Sequence, residues 1–258
     1  MNLPNAWLAE LSTFALATSR IGGMAVTAPF PGSHVPARVK VGFSLVLAWL
    51  AASSMPSAPL SLDLRLLGLA VGELALGLLV GLAFRVTFSC AEIMGSNFSQ
   101  SLGLTSGHVF DPMLETDDGV PGRIATLLAM LLVFSLGAHR IAIAYLLESF
   151  RALPVGDAIR VAGAAPLLID YVGAAIEAGV RLALPVAAVA LAVQVTLALV
   201  ARASPSLQVF SVGLALSVGA GLLAILASLD DIAMGLAAEL GQLGPRIDRV
   251  LEAARGVR

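Results

Sequence analysis

The chain has 258 residues, of which 58% are apolar and only 12% charged, with a formal net charge of −2. Soluble domains average about 45–50% apolar and about 25% charged, so the composition points to an integral membrane protein rather than a water-soluble bundle. The near-neutral charge offers no basic face for nucleic acid, and the single Cys90 excludes an internal disulfide or a cysteine-rich metal site.

Taken in order, about six apolar blocks stand out, near 7–30, 41–60, 62–104, 124–150, 166–200 and 207–238. Several approach the roughly 20 residues that cross a bilayer as a helix. The expected fold is therefore an all-α membrane protein of about six long hydrophobic helices, some of them broken or re-entrant. Met1 to Leu8 lacks a positive region and Glu10 follows, so the first block does not read as a cleavable signal. The connection after it carries Pro29, Pro31 and Pro36, which keeps it out of helix interiors, and Arg38 and Lys40 open the second block.

The third block is too long for one span. From Glu92 onward its apolarity gives way to Ser, Gly, Asn and Gln, then to the Phe110-Asp111-Pro112 turn, then to Glu115, Asp117 and Asp118, and finally to Gly119-Val120-Pro121-Gly122. Pro112 cannot continue a helix and turns Asp111 away from helical geometry. Two readings fit: a solvent loop, or a segment filling a pore mouth with Phe110, Met113 and Leu114 as its apolar part. Non-helical backbone at membrane depth survives only against protein or water.

Charges also lie inside or at the edges of the blocks: Arg20, Glu73, Arg85, Glu92, Glu177 and Arg181. Each would cost at least about 2.5–3.5 kcal/mol facing lipid at mid-bilayer, so they face protein or water, or snorkel. They read either as an ion path or as polar interhelix contacts. Glu177 and Arg181 are four apart and share a helix face. Small residues recur at the same spacing, Gly68 with Gly72, Gly77 with Gly81, and Gly213 with Ser217 and Gly221, as on helices that approach closely.

The tail breaks at Gly244-Pro245, and beyond it Ile247, Val250 and Leu251 share one face of a short surface helix. Arg65, Arg151, Arg160 and the tail arginines outnumber Arg38, Lys40, Arg123 and Arg202 on the opposite side, which favours an inside C-terminus.

Enzyme signatures are sparse. His34, His108 and His139 form no metal-ligand pair. Thr105-Ser106-Gly107 with His139 approaches an intramembrane serine protease, but Leu104 stands where that chemistry's first glycine belongs. No catalysis and no cofactor are expected. A secondary transporter with a broken-helix substrate site at 92–112 is the other class that such a chain could belong to.

Particular residues narrow this. Arg20, Ala28-Pro29-Phe30 and Val35-Pro36-Ala37-Arg38-Val39-Lys40-Val41-Gly42 are followed by Ala91-Glu92-Ile93-Met94-Gly95, Phe110-Asp111-Pro112, Gly137-Ala138-His139 and Leu153-Pro154-Val155-Gly156. In this order and spacing the chain resembles the FliR/SctT family of type III export-gate membrane proteins, flagellar rather than injectisome. It departs from the family between Met94 and Val109, where S-N-F-S-Q-S-L-G-L-T-S-G replaces the usual run.

The resemblance implies a structural gate subunit of the bacterial inner membrane, multi-pass and within the flagellar basal body, that passes unfolded proteins. It implies FliP-like and FliQ-like partner subunits and an FlhB-like switch protein, with no cofactor. It also implies a FliP-like portion over about 1–170 and a FliQ-like helical hairpin with tail over about 171–258, the hairpin turning at Arg202-Ala203-Ser204-Pro205. A pore plug would lie near 107–123, with Phe110, Met113 and Leu114 as its apolar part, Asp111 and Pro112 shaping it, and Gly119 and Gly122 letting it move. The charges inside the helices would meet partner subunits rather than lipid.

Overall fold

A computed structural model describes residues 3–28, 36–53, 55, 64–101, 120–157, 163–203 and 209–255. Among them the regular structure is helical throughout. In chain order the helices are α1 (Leu3–Thr27), α2 (Ala37–Ser53), α3 (Leu64–Ser101), α4 (Val120–Ser135), α5 (Ala138–Ala152), α6 (Ala165–Ala203), α7 (Val209–Ala227), α8 (Leu229–Gly241) and α9 (Leu243–Arg255).

Prolines mark several of the starts. Pro36 precedes α2, while Pro121, Pro166 and Pro245 fall in the first turns of α4, α6 and α9. A first-turn N–H has no intrahelical partner, so proline loses nothing there. Pro185 is the exception, lying inside the 39-residue α6.

The third block behaves differently from its composition. Its polar residues do not interrupt the helix: α3 runs unbroken for 38 residues to Ser101. Ser96 Oγ and Asn97 Nδ2 donate back to the Ile93 carbonyl at 3.1 and 2.7 Å, so these side chains are satisfied by the helix that carries them.

The fourth and sixth blocks each contain a break that hydropathy did not reveal. Gly137 takes φ 80°, a left-handed conformation open to glycine, and divides 124–150 into α4 and α5. At Ser228 the helix breaks, and the helical runs on either side, Ala215–Ala227 and Leu229–Arg255, are bent by 60°. Two helices, Arg65–Ser101 and Pro166–Ala203, are long and apolar enough to cross a membrane, and the pair bent at Ser228 would make a third. The expectation of about six long helices is thus met only in part among the described residues. The 17-residue α2 and the 16-residue α4 rise about 25 Å, short of the roughly 30 Å hydrocarbon core.

The chain divides into two compact units whose sequence segments interleave. The first contains 1–87, 137–172 and 242–258; the second contains 88–136 and 173–241. In the first unit α1 and α2 run antiparallel, since Ile21 and Met24 meet Phe43 and Leu47 at one end while Trp7 and Glu10 meet Trp49 and Ala52 at the other. The apolar face of α9 is buried here, with Ile247, Val250 and Leu251 all shielded. Tyr145 of α5 occupies the space where a side chain on Gly244 would go. Arg246 donates to Thr87 Oγ1 at 3.4 Å and lies 5.7 Å from the Tyr171 ring, whose hydroxyl donates to the Arg246 carbonyl at 3.2 Å. The tail is therefore a packed element, more enclosed than a helix lying on a surface.

In the second unit Phe88 and Phe134 meet edge to face with ring centroids 6.2 Å apart. A Cβ on Gly179 would stand 2.8 Å from the Cys90 carbonyl oxygen, so α6 and α3 approach closely there. A Cβ on Gly213 would lie 3.3 Å from Leu197, which places α7 alongside the end of α6.

Candidate functional site

The chemically distinctive site of the first unit is a buried ion pair. Arg20 on α1 and Glu73 on α3 are both 0% exposed. Arg20 Nε donates to Glu73 Oε2 at 2.6 Å. Arg20 Nη1 donates to the carbonyls of Ser149 and Leu153, each at 2.9 Å, and the guanidinium lies 4.4 Å from the centroid of the Phe150 ring. Glu73 Oε1 accepts the Gly156 N–H at 3.0 Å.

One charge pair thus joins α1, α3, the end of α5 and the turn that follows it. The local chain favours this arrangement. α5 ends at Leu153, and its last carbonyls carry the partial negative charge that attracts a cation. Gly156 takes φ 94°, which only glycine adopts readily, and its N–H meets the carboxylate. The two formal charges cancel, as a low-dielectric interior requires. Arg20 Nη2 is buried with no hydrogen-bond acceptor.

Close backbone approach makes the pair possible. A Cβ on Gly77 would collide with the Arg20 backbone, one on Gly81 with Thr27 and Met24, and one on Gly23 with Leu74. The contact of α1 with α3 therefore depends on glycine at each of these positions. The sequence singled out Gly77, Gly81, Glu73 and Arg20, but not the pairing of Arg20 with Glu73, and it missed Gly23. A charge count could have found the pairing, because two opposite charges in apolar helices have strong reason to meet.

The remaining predicted residues are distributed as follows. Gly68 faces open space and makes no close helix contact among the described residues, and Gly72 is half-buried. Arg85 is exposed and Glu92 half-buried on α3. Gly213, Ser217 and Gly221 are buried along α7. Glu177 and Arg181 are exposed on α6 and line a cleft of about 420 Å³ with Glu239 and the small residues Ala174, Ala178, Gly235 and Ala238. Leu182 lies against Gly235 at its edge.

Phe110, Asp111, Pro112, Met113, Leu114 and Gly119 lie outside the described residues, as does Ser106. Gly122 belongs to the first turn of α4, and His139 is half-buried on α5. Among the described residues no three His, Cys, Asp or Glu side chains group closely enough to hold a metal ion. The hydrogen bonds that the ion pair makes run between its two members and to backbone of α5 and the turn after it, so it fastens these elements together.

Residues 11–243 match the family described as bacterial export proteins, family 1. The flagellar biosynthetic protein FliR of Caulobacter vibrioides is 31% identical over 224 residues, covering 85% of this chain and 89% of the relative. The FliR proteins of Escherichia coli and Aquifex aeolicus are 29% and 31% identical, each covered over 86% of its length by 85% of this chain.

Proposed function

The chain belongs to family 1 of the bacterial export proteins, and from that membership we propose that it is a structural subunit of the flagellar type III export gate. It works in the bacterial inner membrane, within the flagellar basal body, alongside FliP-like and FliQ-like subunits and an FlhB-like switch protein. It carries unfolded flagellar proteins across the membrane by forming part of a pore, not by covalent chemistry. The observation that carries this reading is the match running from residue 11 to 243. The relatives named above are all flagellar, which favours a flagellar over an injectisome gate.

Within this reading the segment near 107–123 is the plug. Phe110, Met113 and Leu114 supply its apolar part, Asp111 and Pro112 its turn, and Gly119 and Gly122, the latter in the first turn of α4, its freedom to move. The part up to about residue 170 is FliP-like, and α6 with α7 forms the FliQ-like hairpin turning near Ser204-Pro205. The nearness of Gly213 to Leu197, equally far either side of that turn, supports the hairpin.

Native mass spectrometry after co-expression with the neighbouring membrane proteins tests the assignment. A defined hetero-oligomer with FliP-like and FliQ-like chains is expected, and a stable homo-oligomer that ignores them would overturn it in favour of a transporter. Deleting Asp111 to Pro121 should leave that complex assembled and make cells leak ions; unchanged membrane resistance would remove the plug assignment.

A further inference from the structure

The first unit has a second feature that the ion pair does not use. Between the start of α1 and the end of α2 lies a cleft of about 570 Å³, lined by Trp7, Glu10, Phe14, Trp49, Ser53 and Met55 among others. Trp7 and Trp49 are the two tryptophans of the chain, and they are 73% and 69% exposed. Glu10 alone carries charge among the described lining residues; it is exposed and forms no ion pair with a described residue.

α2 extends this surface. It turns the small residues Ser44, Ala48 and Ala51 inward and leaves Val46, Trp49 and Leu50 outside, 65%, 69% and 56% exposed. Such a face is covered by apolar groups rather than water. Lipid and protein are the two possible covers, and the length of the face decides between them. At about 1.5 Å per residue, α2 rises about 14 Å from Lys40 to Trp49, against about 30 Å for the hydrocarbon core. With the tryptophans at one headgroup level, where such rings sit, Arg38 and Lys40 would hang near the bilayer centre. Each would cost at least about 2.5 kcal/mol there. A protein cover carries no such depth requirement.

We infer that this cleft receives an arginine or lysine side chain presented on an apolar helix of a partner protein. Three aromatic side chains, of the kind whose rings attract a cation, line it, and Glu10 supplies the opposite charge. The apolar turns on either side of the cation cover Val46 and Leu50. The inference takes from the export-gate reading only the presence of partner membrane chains.

A photoreactive phenylalanine analogue at Ser53, which leaves both tryptophans in place, tests it in the full-length chain produced with its neighbouring membrane proteins. The crosslinked peptide, sequenced by mass spectrometry, is expected to be apolar and to contain Arg or Lys within one helical turn of the attachment. Glu10→Arg should lower the crosslink yield at least about tenfold, and exchanging the partner's cation for Glu should restore it. Glu10→Gln, the milder variant, should give an intermediate loss. Attachment to phospholipid, a mapped peptide without a basic residue, or a yield indifferent to Glu10→Arg overturns the inference. A complex with FliP-like and FliQ-like chains that forms unchanged in the Glu10→Arg variant removes this inference and leaves the gate reading intact. A basic, apolar crosslink in the absence of that complex does the reverse.

Discussion

Arg20 with Glu73 and Glu177 with Arg181 are both pairs of opposite charge set in apolar helices, yet their surroundings differ. The first pair bridges two helices, is fully shielded, and is tied through Arg20 Nη1 and Glu73 Oε1 to the end of α5 and the turn after it. The second pair lies on one helix and opens onto a cleft beside α8. In the first case charge fixes the fold of the chain itself. In the second it lies on a long apolar helix whose outer residues Ile176, Val180 and Leu184 are also exposed, so its consequence depends on what covers α6.

The sharpest way to break this contrast is to remove half of the shielded pair. Glu73→Ala leaves a buried guanidinium without its counter-charge and should cost about 3–5 kcal/mol. Thermal unfolding of the purified protein in detergent reads this as a large fall in Tm. The double variant Arg20→Leu with Glu73→Leu should recover much of the loss, because no charge is then stranded; a double variant as unstable as the single one would contradict the pairing.

A smaller effect is expected from the glycines that bring the pair together. Gly77→Leu drives a side chain into the Arg20 backbone and should destabilise by about 1–3 kcal/mol, while Gly68→Leu, which meets open space, should change stability by less than about 0.5 kcal/mol. Equal shifts in the same unfolding assay would contradict the assigned contact face.

The smallest effect belongs to the open pair. Arg181→Gln should leave the unfolding temperature of the isolated chain within about 0.5 kcal/mol equivalent of the parent. Its effect should emerge instead in the yield of complex recovered with partner chains, and a large loss of stability in the isolated chain would erase the distinction between the two pairs.

These contrasts also mark what could be read from sequence. Block positions were legible because apolarity over about 20 residues is a strong signal, and α1, α2, α3 and α6 lie close to the blocks that foreshadowed them. Breaks within an apolar run were less legible. Leu136-Gly137-Ala138 stays apolar across the turn, and only the backbone angle at Gly137 separates α4 from α5. The bend at Ser228 had a signal that was passed over: Asp230 and Asp231 occupy the first turn of α8, where acidic side chains favour a helix start. The polarity after Glu92 misled in the other direction, since Ser96 and Asn97 bond to their own helix and let it continue.

At the site, glycine spacing identified Gly77 and Gly81, yet the same spacing also picked out Gly68. A four-residue repeat says that one face is small and does not say whether another helix lies on it. The meeting of Arg20 with Glu73, 53 positions apart, needed three-dimensional information.

The interleaving of the two units bears on the order in which a ribosome delivers them. α9 closes the first unit, holding Thr87 and Tyr171 through Arg246, but it is made after every residue of the second. During synthesis α1 to α3 therefore wait, with part of their apolar surface uncovered, until the last described helix emerges. Contacts this distant in sequence form slowly. The nascent chain thus has a long interval in which membrane-insertion factors or neighbouring proteins can engage it, and its first unit becomes complete only after the second has been made.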